Sequence, residues 1–327
     1  MSGIGDRPLR VFAGRNSKTL GERVCRHIGI PLGDAKTIPF PDGELMVKIE
    51  EDVRGRDVFV ISSTCEPVNE NLMELLIFCD CLRRASAERV TLVIPYYGYG
   101  RQDRKDEGRV PITAKLVANL ITAAKADRVL AIDLHAAQIQ GFFDLPVDHL
   151  PASKVFLDYF ETIRGELGEL ALVSPDVGNV KVAEGVANKL DGDLAILFKK
   201  RISGSEVETG DLIGSVEGKT VLMFDDMIAT GGTVVKAAHA VIEHGARDVI
   251  VAATHAVLSG QGAWRIAESP ITRVVVSDTI PIPEAKKKAL SDKLIELSVG
   301  ELLGDAIRRI HEDRSVSALF RDAELKR

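Results

Sequence analysis

Two adjacent acids, Asp225 and Asp226, follow the apolar run 221–224 (Val-Leu-Met-Phe) and precede Thr230-Gly231-Gly232-Thr233. A tight glycine turn that opens a helix aims backbone N–H groups at an anion, with the helix dipole behind them. Carboxylates beside such a cradle suit a ligand that carries hydroxyls as well as phosphate, such as a sugar phosphate. The bland alternative is an ordinary glycine turn between strand and helix, with solvated acids.

Other segments hold chemistry-bearing side chains at the ends of apolar runs. Pro95-Tyr96-Tyr97-Gly98-Tyr99-Gly100-Arg101-Gln102-Asp103-Arg104-Lys105-Asp106 crowds Arg101, Arg104 and Lys105 together, with Arg109 close behind. Arginine forks suit the oxygens of a polyphosphate, although a charged surface loop reads the same way. His135 follows Asp133 and Leu134 just past an apolar run, a position for a ligand or a general acid. Asp176 ends another run, and Lys199-Lys200-Arg201 a third. Phe40-Pro41-Asp42-Gly43-Glu44 reads by itself as turn chemistry. The stretch from Gly214 to Thr220 imitates a nucleotide-binding glycine loop, yet it has one residue too few between its glycines. It also precedes a strand where such a loop must follow one, so it is assigned to a turn.

The elements that must position these groups alternate along the chain. Strands are expected at 11–13, 58–62, 90–95 and 129–134, and then at 170–174, 194–198, 221–224, 249–254 and 274–276. Helical patterns fall near 18–28, 70–84, 112–125, 153–164, 179–190, 233–244 and 300–311. This alternation implies an α/β fold of mainly parallel sheets flanked by helices. Open sheets of that kind bind ligands at the carboxyl ends of their strands. The two halves carry similar successions of strands, so similar domains are expected at 1–151 and 152–327. Residues 201–210 read as a polar, mobile loop.

Composition sets the limits. A chain of 327 residues fits two domains of about 150 each. A net charge of −6 and an aromatic content of 5% argue against a nucleic-acid binder. Phosphate must then be held by local basic clusters. The beginning of the chain lacks the apolar core of a signal peptide, and no apolar run is long enough to span a bilayer. The cytoplasm is the expected location. Cys25, Cys65, Cys79 and Cys81 form no Cys-x-x-Cys pair and read as reduced structural thiols.

Taken together, these motifs resemble the ribose-phosphate pyrophosphokinases. The stretch from Asp225 to Thr233 is similar to the phosphoribosyl pyrophosphate loop of the phosphoribosyltransferase fold. The stretch from Pro95 to Lys105 is similar to the pyrophosphokinases' ATP loop. The resemblance runs from about Leu9 to Phe320 and places the chain with the phosphate-activated, ADP-inhibited hexameric group. It implies two phosphoribosyltransferase-type domains and transfer of pyrophosphate from MgATP to ribose 5-phosphate. Arg101, Gln102, Asp103 and Asp106 would bind ATP, with Phe40, Asp42, Gly43 and Glu44 reaching the adenine of a neighbouring subunit. Asp225, Asp226, Ala229, Thr230, Gly231, Gly232 and Thr233 would bind ribose 5-phosphate. His135 and Asp176 would serve Mg²⁺, and Lys199 and Arg201 the transition state. Phosphate and ADP would act as effectors. A silent regulatory homologue and a phosphoribosyltransferase are the competing readings. The family usually has Asp where this chain has Ala229, which removes a side-chain hydrogen bond of about 0.5–1.5 kcal/mol and counts against phosphoribosyltransferase chemistry. The stretch from Val177 to Val182 also departs from the family's commoner pattern.

Overall fold

A computed structural model describes residues 8–174, 180–201 and 207–320. The chain divides into two compact units. One comprises Met1–Ala152 with Thr279–Pro281 and Ser298–Arg327, and the other Ser153–Asp278 with Ile282–Leu297.

The first unit begins β1 (Leu9–Ala13), α1 (Lys18–Ile28), β2 (Ala35–Pro39), β3 (Leu45–Ile49) and β4 (Asp57–Ile61). It continues α2 (Val68–Arg84), β5 (Arg89–Ile94), α3 (Thr113–Ala123), β6 (Arg128–Ile132) and β7 (Val147–Leu150). Its main sheet has the order β1-β4-β5-β6-β7, all parallel. Every residue of β4 is buried, as expected for a strand covered by helices on both faces. β2 and β3 form a separate antiparallel hairpin.

The second unit runs α4 (Ser153–Thr162), α5 (Arg164–Leu167), β8 (Leu170–Ser174), α6 (Val180–Leu190), β9 (Asp193–Arg201) and β10 (Val207–Ile213). It goes on through β11 (Thr220–Met227), α7 (Gly232–Glu243), β12 (Asp248–His255), α8 (Gly262–Ala267), β13 (Arg273–Ser277), α9 (Glu284–Leu290) and β14 (Leu294–Leu297). The sheet order is β10-β9-β8-β11-β12-β13-β14, with β10 antiparallel to β9 and the other pairs parallel. Strand order reverses between β8 and β11, which pair as neighbours. Ligands of open α/β sheets bind at such a reversal, outside the carboxyl ends of the strands. Asp225 and Asp226 lie there, in the last residues of β11.

Helix α10 (Gly300–His311) belongs to the first unit. His27 Nε2 on α1 meets Asp305 Oδ1 at 2.8 Å, and Arg308 Nη2 donates to the His27 carbonyl at 3.2 Å. Below them lies the buried carboxylate of Asp57. Arg89 donates to it through both Nε (2.8 Å) and Nη2 (2.5 Å), and His311 Nδ1 lies 2.8 Å from its Oδ2. Arg89 Nη2 also donates to the Ile310 carbonyl at 2.9 Å, which closes the end of α10. The fork–carboxylate geometry satisfies a charge that would be costly to bury alone.

The expected mobile loop at 201–210 is corrected in part. Residues 207–213 form an edge strand antiparallel to β9, Val207 opposite Arg201 and Thr209 opposite Lys199, with a register shift between Thr209 and Leu212. Polar residues are tolerated on an edge strand, which is why composition alone suggested a loop. None of the described helices is long and apolar enough to cross a membrane.

Candidate functional site

In the second unit, the phosphate-cradle candidate is a turn between β11 and α7. Gly231 takes φ +74° at the N-cap, a left-handed conformation that glycine adopts without Cβ strain. As a glycine, Gly231 brings no capping side chain of its own, and the first-turn N–H groups have no intrahelical acceptor. The turn is braced from its carbonyl groups. Ser259 N–H donates to the Ala229 carbonyl at 2.8 Å, and Arg265 Nη1 donates to the Thr230 carbonyl at 2.5 Å. Ile228 is tied in both directions, its N–H to the His255 carbonyl (3.0 Å) and its carbonyl to the Leu258 N–H (2.9 Å). Asp225 and Asp226 are half-buried, and Asp225 Oδ1 accepts the Asp226 N–H at 2.9 Å. Helix-terminal amides, Thr230 and Thr233 hydroxyls and a carboxylate pair form a coherent set for a phosphorylated polyol. Arg265 went unnoticed in the sequence because its part depends on α8 reaching back to the turn.

Also in this unit, Lys199 and Arg201 lie within β9, which extends through them. Asp176 lies outside the described residues. The decoy glycine stretch is a turn before β11, where Gly218 N–H donates to the Gly245 carbonyl at 2.8 Å. Lys219 Nζ is engaged by the Asp193 carboxylate.

In the first unit, the arginine-rich loop leaves the end of β5. Gly98 is pressed against the chain following β4, where a Cβ would stand 2.2 Å from the Thr64 carbonyl oxygen. Its N–H donates to Thr64 Oγ1 at 2.6 Å, and Thr64 N–H donates to the Tyr96 carbonyl at 2.9 Å. Tyr97 is buried and donates its hydroxyl to the Ala114 carbonyl at 2.8 Å. Tyr99 has φ +64°, and its hydroxyl donates to Asn69 Oδ1. The loop thus leaves Arg101 and Gln102 exposed on an anchored base. Beside it opens a pocket of about 490 Å³ lined by Val68, Asn69, Tyr96, Tyr99, Arg101 and Gln102, large enough for a nucleotide-sized ligand. Val68 and Asn69 begin α2, far upstream in sequence, and nothing in the sequence pattern pointed to them.

The same loop meets His135. A Cβ on Gly100 would lie 3.8 Å from that of His135, and Gln138 Nε2 donates to Asp103 Oδ2 at 3.3 Å. His135 follows a strained turn, with Asp133 at φ +35°. Asp133 N–H donates to the Leu150 carbonyl at 3.0 Å, and its Oδ2 accepts the Ala152 N–H at 3.1 Å. Between Asp133 and His135, Leu134 N–H donates to His149 Nε2 at 3.0 Å. Asp106 is exposed on the far part of the loop.

Phe40, Asp42, Gly43 and Glu44 form the tip of the β2–β3 hairpin. Phe40 N–H donates to the Glu44 carbonyl at 2.8 Å, Gly43 N–H to the Phe40 carbonyl at 3.0 Å and Glu44 N–H to Asp42 Oδ1 at 3.1 Å. Phe40 is 42% exposed, and its neighbours Ile38 and Met46 are exposed as well.

Among the described residues, no three His, Cys, Asp or Glu side chains gather as a metal cage. In the second unit Asp225 and Asp226 carry hard carboxylate oxygens, the donor type that fits Mg²⁺, which keeps its waters and is held largely by substrate phosphates; in the first unit the imidazole of His135 is a softer donor.

The family model described as the N-terminal domain of ribose phosphate pyrophosphokinase matches residues 9–124. The model of the phosphoribosyl synthetase-associated domain matches residues 200–321. The chain is 55% identical to the ribose-phosphate pyrophosphokinase of Rhodopirellula baltica, over 97% of this chain and 99% of that protein. It is 50% identical to that of Gloeobacter violaceus, over 97% and 95%. The crystal structure of phosphoribosylpyrophosphate synthetase from Mycobacterium smegmatis superimposes with a TM-score of 0.87 at 42% identity, covering 94% of this chain and all of that one.

Proposed function

The chain belongs to the ribose-phosphate pyrophosphokinase family, and from that premise we propose how its own residues share the reaction. The enzyme moves the β,γ-pyrophosphoryl group of ATP to the anomeric hydroxyl of ribose 5-phosphate. A bond forms between that oxygen and the β-phosphorus, the α–β bridge breaks, the hydroxyl proton is released, and AMP leaves beside phosphoribosyl pyrophosphate.

The observation that favours this chemistry over simple phosphoribosyl transfer is the anchored loop of Arg101 and Gln102, close to His135 and beside a nucleotide-sized pocket. A phosphoribosyltransferase needs the glycine turn at α7 but has no use for that loop. The first unit accordingly takes ATP, through Arg101, Gln102, Asp103 and Asp106. The hairpin tip of Phe40, Asp42, Gly43 and Glu44 serves the adenine of a neighbouring subunit's ATP. The second unit takes ribose 5-phosphate, its phosphate on the amides and hydroxyls of Ala229 to Thr233 and its hydroxyls on Asp225 and Asp226. Lys199 and Arg201 meet the negative charge that builds on the transferred group. Mg²⁺, held by His135 and Asp176 together with the substrate phosphates, would neutralise charge on the polyphosphate. The protein's own contribution is positioning and electrostatics, with no covalent enzyme intermediate. A cytoplasmic homohexamer activated by phosphate and inhibited by ADP completes the reading.

The test is to incubate the purified protein with ribose 5-phosphate, MgATP and inorganic phosphate, and to measure AMP against ADP. AMP formed one-for-one with phosphoribosyl pyrophosphate is expected. ADP would mean transfer of the γ-phosphoryl group and would overturn the reading. Neither product, from a folded sample, would point to a silent regulatory homologue.

A further inference from the structure

The Leu134 N–H lies in the turn just past β6, one residue beyond the Asp133 N–H that makes the last backbone bond to β7. It finds a side chain of β7 instead, the Nε2 of His149 at 3.0 Å. An imidazole nitrogen that accepts a hydrogen bond is deprotonated at that atom, so His149 is neutral with its proton on Nδ1. Burial pushes the His149 imidazole below the usual histidine range, against a smaller opposing pull from the Asp133 carboxylate. The turn needs the support. Asp133 is held at φ +35°, an uncommon region for a residue with a Cβ, and such geometry persists only where its surroundings fix it. The Asp133 bonds fix the first residue of the turn, to Leu150 and Ala152. The His149 bond fixes the second, and the third is His135, which faces Gly100 of the arginine-rich loop.

We propose that His149 is a positioning residue for the transfer reaction: by accepting the Leu134 N–H it sets the turn that presents His135 to the polyphosphate-binding loop. The proposal rests on the reading that His135 works at the ATP end of the site. His149 itself touches neither substrate nor reacting atoms. Its contribution is to hold a functional side chain in place on a strained piece of backbone.

The experiment compares His149→Phe, which keeps a ring but has no acceptor, with His149→Gln, whose amide oxygen can take the place of Nε2. His135→Ala serves as reference. The readouts are amide hydrogen exchange at Leu134, kcat, and KM for MgATP and for ribose 5-phosphate separately. In His149→Phe, Leu134 exchange should quicken and kcat should fall about 10- to 100-fold, while KM for ribose 5-phosphate stays within about twofold. His149→Gln should restore both protection and turnover. Should His149→Phe fail to fold, His149→Leu is read in its place. Loss of turnover in His135→Ala with wild-type turnover in His149→Phe would overturn the positioning role alone. Wild-type turnover in His135→Ala would overturn the reading beneath it as well. An unprotected Leu134 amide in the wild-type protein would overturn the proposal whatever the variants do.

Discussion

Gly100 and His135 stand so close that a Cβ on the glycine would lie 3.8 Å from that of the histidine. The loop after β5 and the turn after β6 therefore share one end of the first unit's sheet, the carboxyl end where open α/β sheets take their ligands.

Gly98→Ala should disturb that arrangement. The new Cβ would stand 2.2 Å from the carbonyl oxygen of Thr64, a residue whose N–H is tied to the Tyr96 carbonyl. Overpacking of this kind costs about 1–3 kcal/mol. Urea unfolding should register the loss, and KM for ATP should rise as Arg101 and Gln102 shift. An unchanged midpoint together with an unchanged KM would show that the loop has slack the structure does not reveal.

Lys199→Ala should cut kcat by about 10²- to 10³-fold, the range for removing one donor that meets charge in a transition state. The circular dichroism spectrum and melting temperature should stay those of the wild type. Turnover close to wild type would remove Lys199 from the proposed role.

Ala229→Asp restores a hydrogen-bonding side chain to the phosphate-cradle turn. One added hydrogen bond is worth about 0.5–1.5 kcal/mol, so KM for ribose 5-phosphate should fall about 2- to 12-fold with KM for ATP unchanged. Calorimetric titration of ribose 5-phosphate measures this directly. Weaker binding would mean that the added charge repels the phosphate more than the new bond helps.

Alkaline pH should destabilise the fold through its buried thiols. Burial pushes Cys25 and Cys65 up to about 11 and Cys79 up to about 12, from an ordinary value of 9.0. Above pH 9 the unfolded chain releases these protons while the folded chain keeps them, so the unfolded state gains. Stability is full below pH 9 and is lost progressively as pH rises toward 11–12. Melting temperature measured from pH 8 upward should fall in that window, and Cys79→Ala should fall less steeply. At pH 8, iodoacetamide should label Cys81 first, as Cys25, Cys65 and Cys79 are buried and Cys81 only partly so. Equal labelling of all four would contradict the packing.

Arg89→Leu should be costly. It leaves the Asp57 carboxylate buried with His311 as its remaining side-chain partner and takes away the donor to Ile310. Breaking a buried pair on one side costs about 3–5 kcal/mol, visible in denaturant melts. Asp57→Asn with Arg89→Leu should recover part of that loss, because no charge is then stranded.

Much of the fold was legible because buried parallel strands are apolar runs and helices between them are amphipathic. β4, β5, β6, β8 and β12 all announced themselves in this way. The β2–β3 hairpin did not, because its strands are mostly solvent-facing and β2 ends in Pro39. β10 carries Glu208, Thr209, Gly210 and Asp211, a loop-like composition that only an edge position tolerates. In the site, Asp225, Asp226 and the glycine turn were readable because they lie together along the chain. Asn69, Arg265 and His149 were not, since each acts on a segment distant in sequence. His149 also sits on a four-residue strand, β7, whose burial is only partial.

The return of α10 to the first unit bears on biosynthesis. A ribosome makes the β1–β7 sheet early, yet the helix that covers α1 and the Arg89–Asp57 pair comes only after the whole second unit has been translated. Until then the nascent sheet carries an uncovered seam and an Asp57–Arg89 pair without its lid. Nascent chains stalled before residue 300 should therefore be open to protease and chaperone at α1, and emergence of α10, more than completion of either sheet, should mark the moment the first unit becomes resistant.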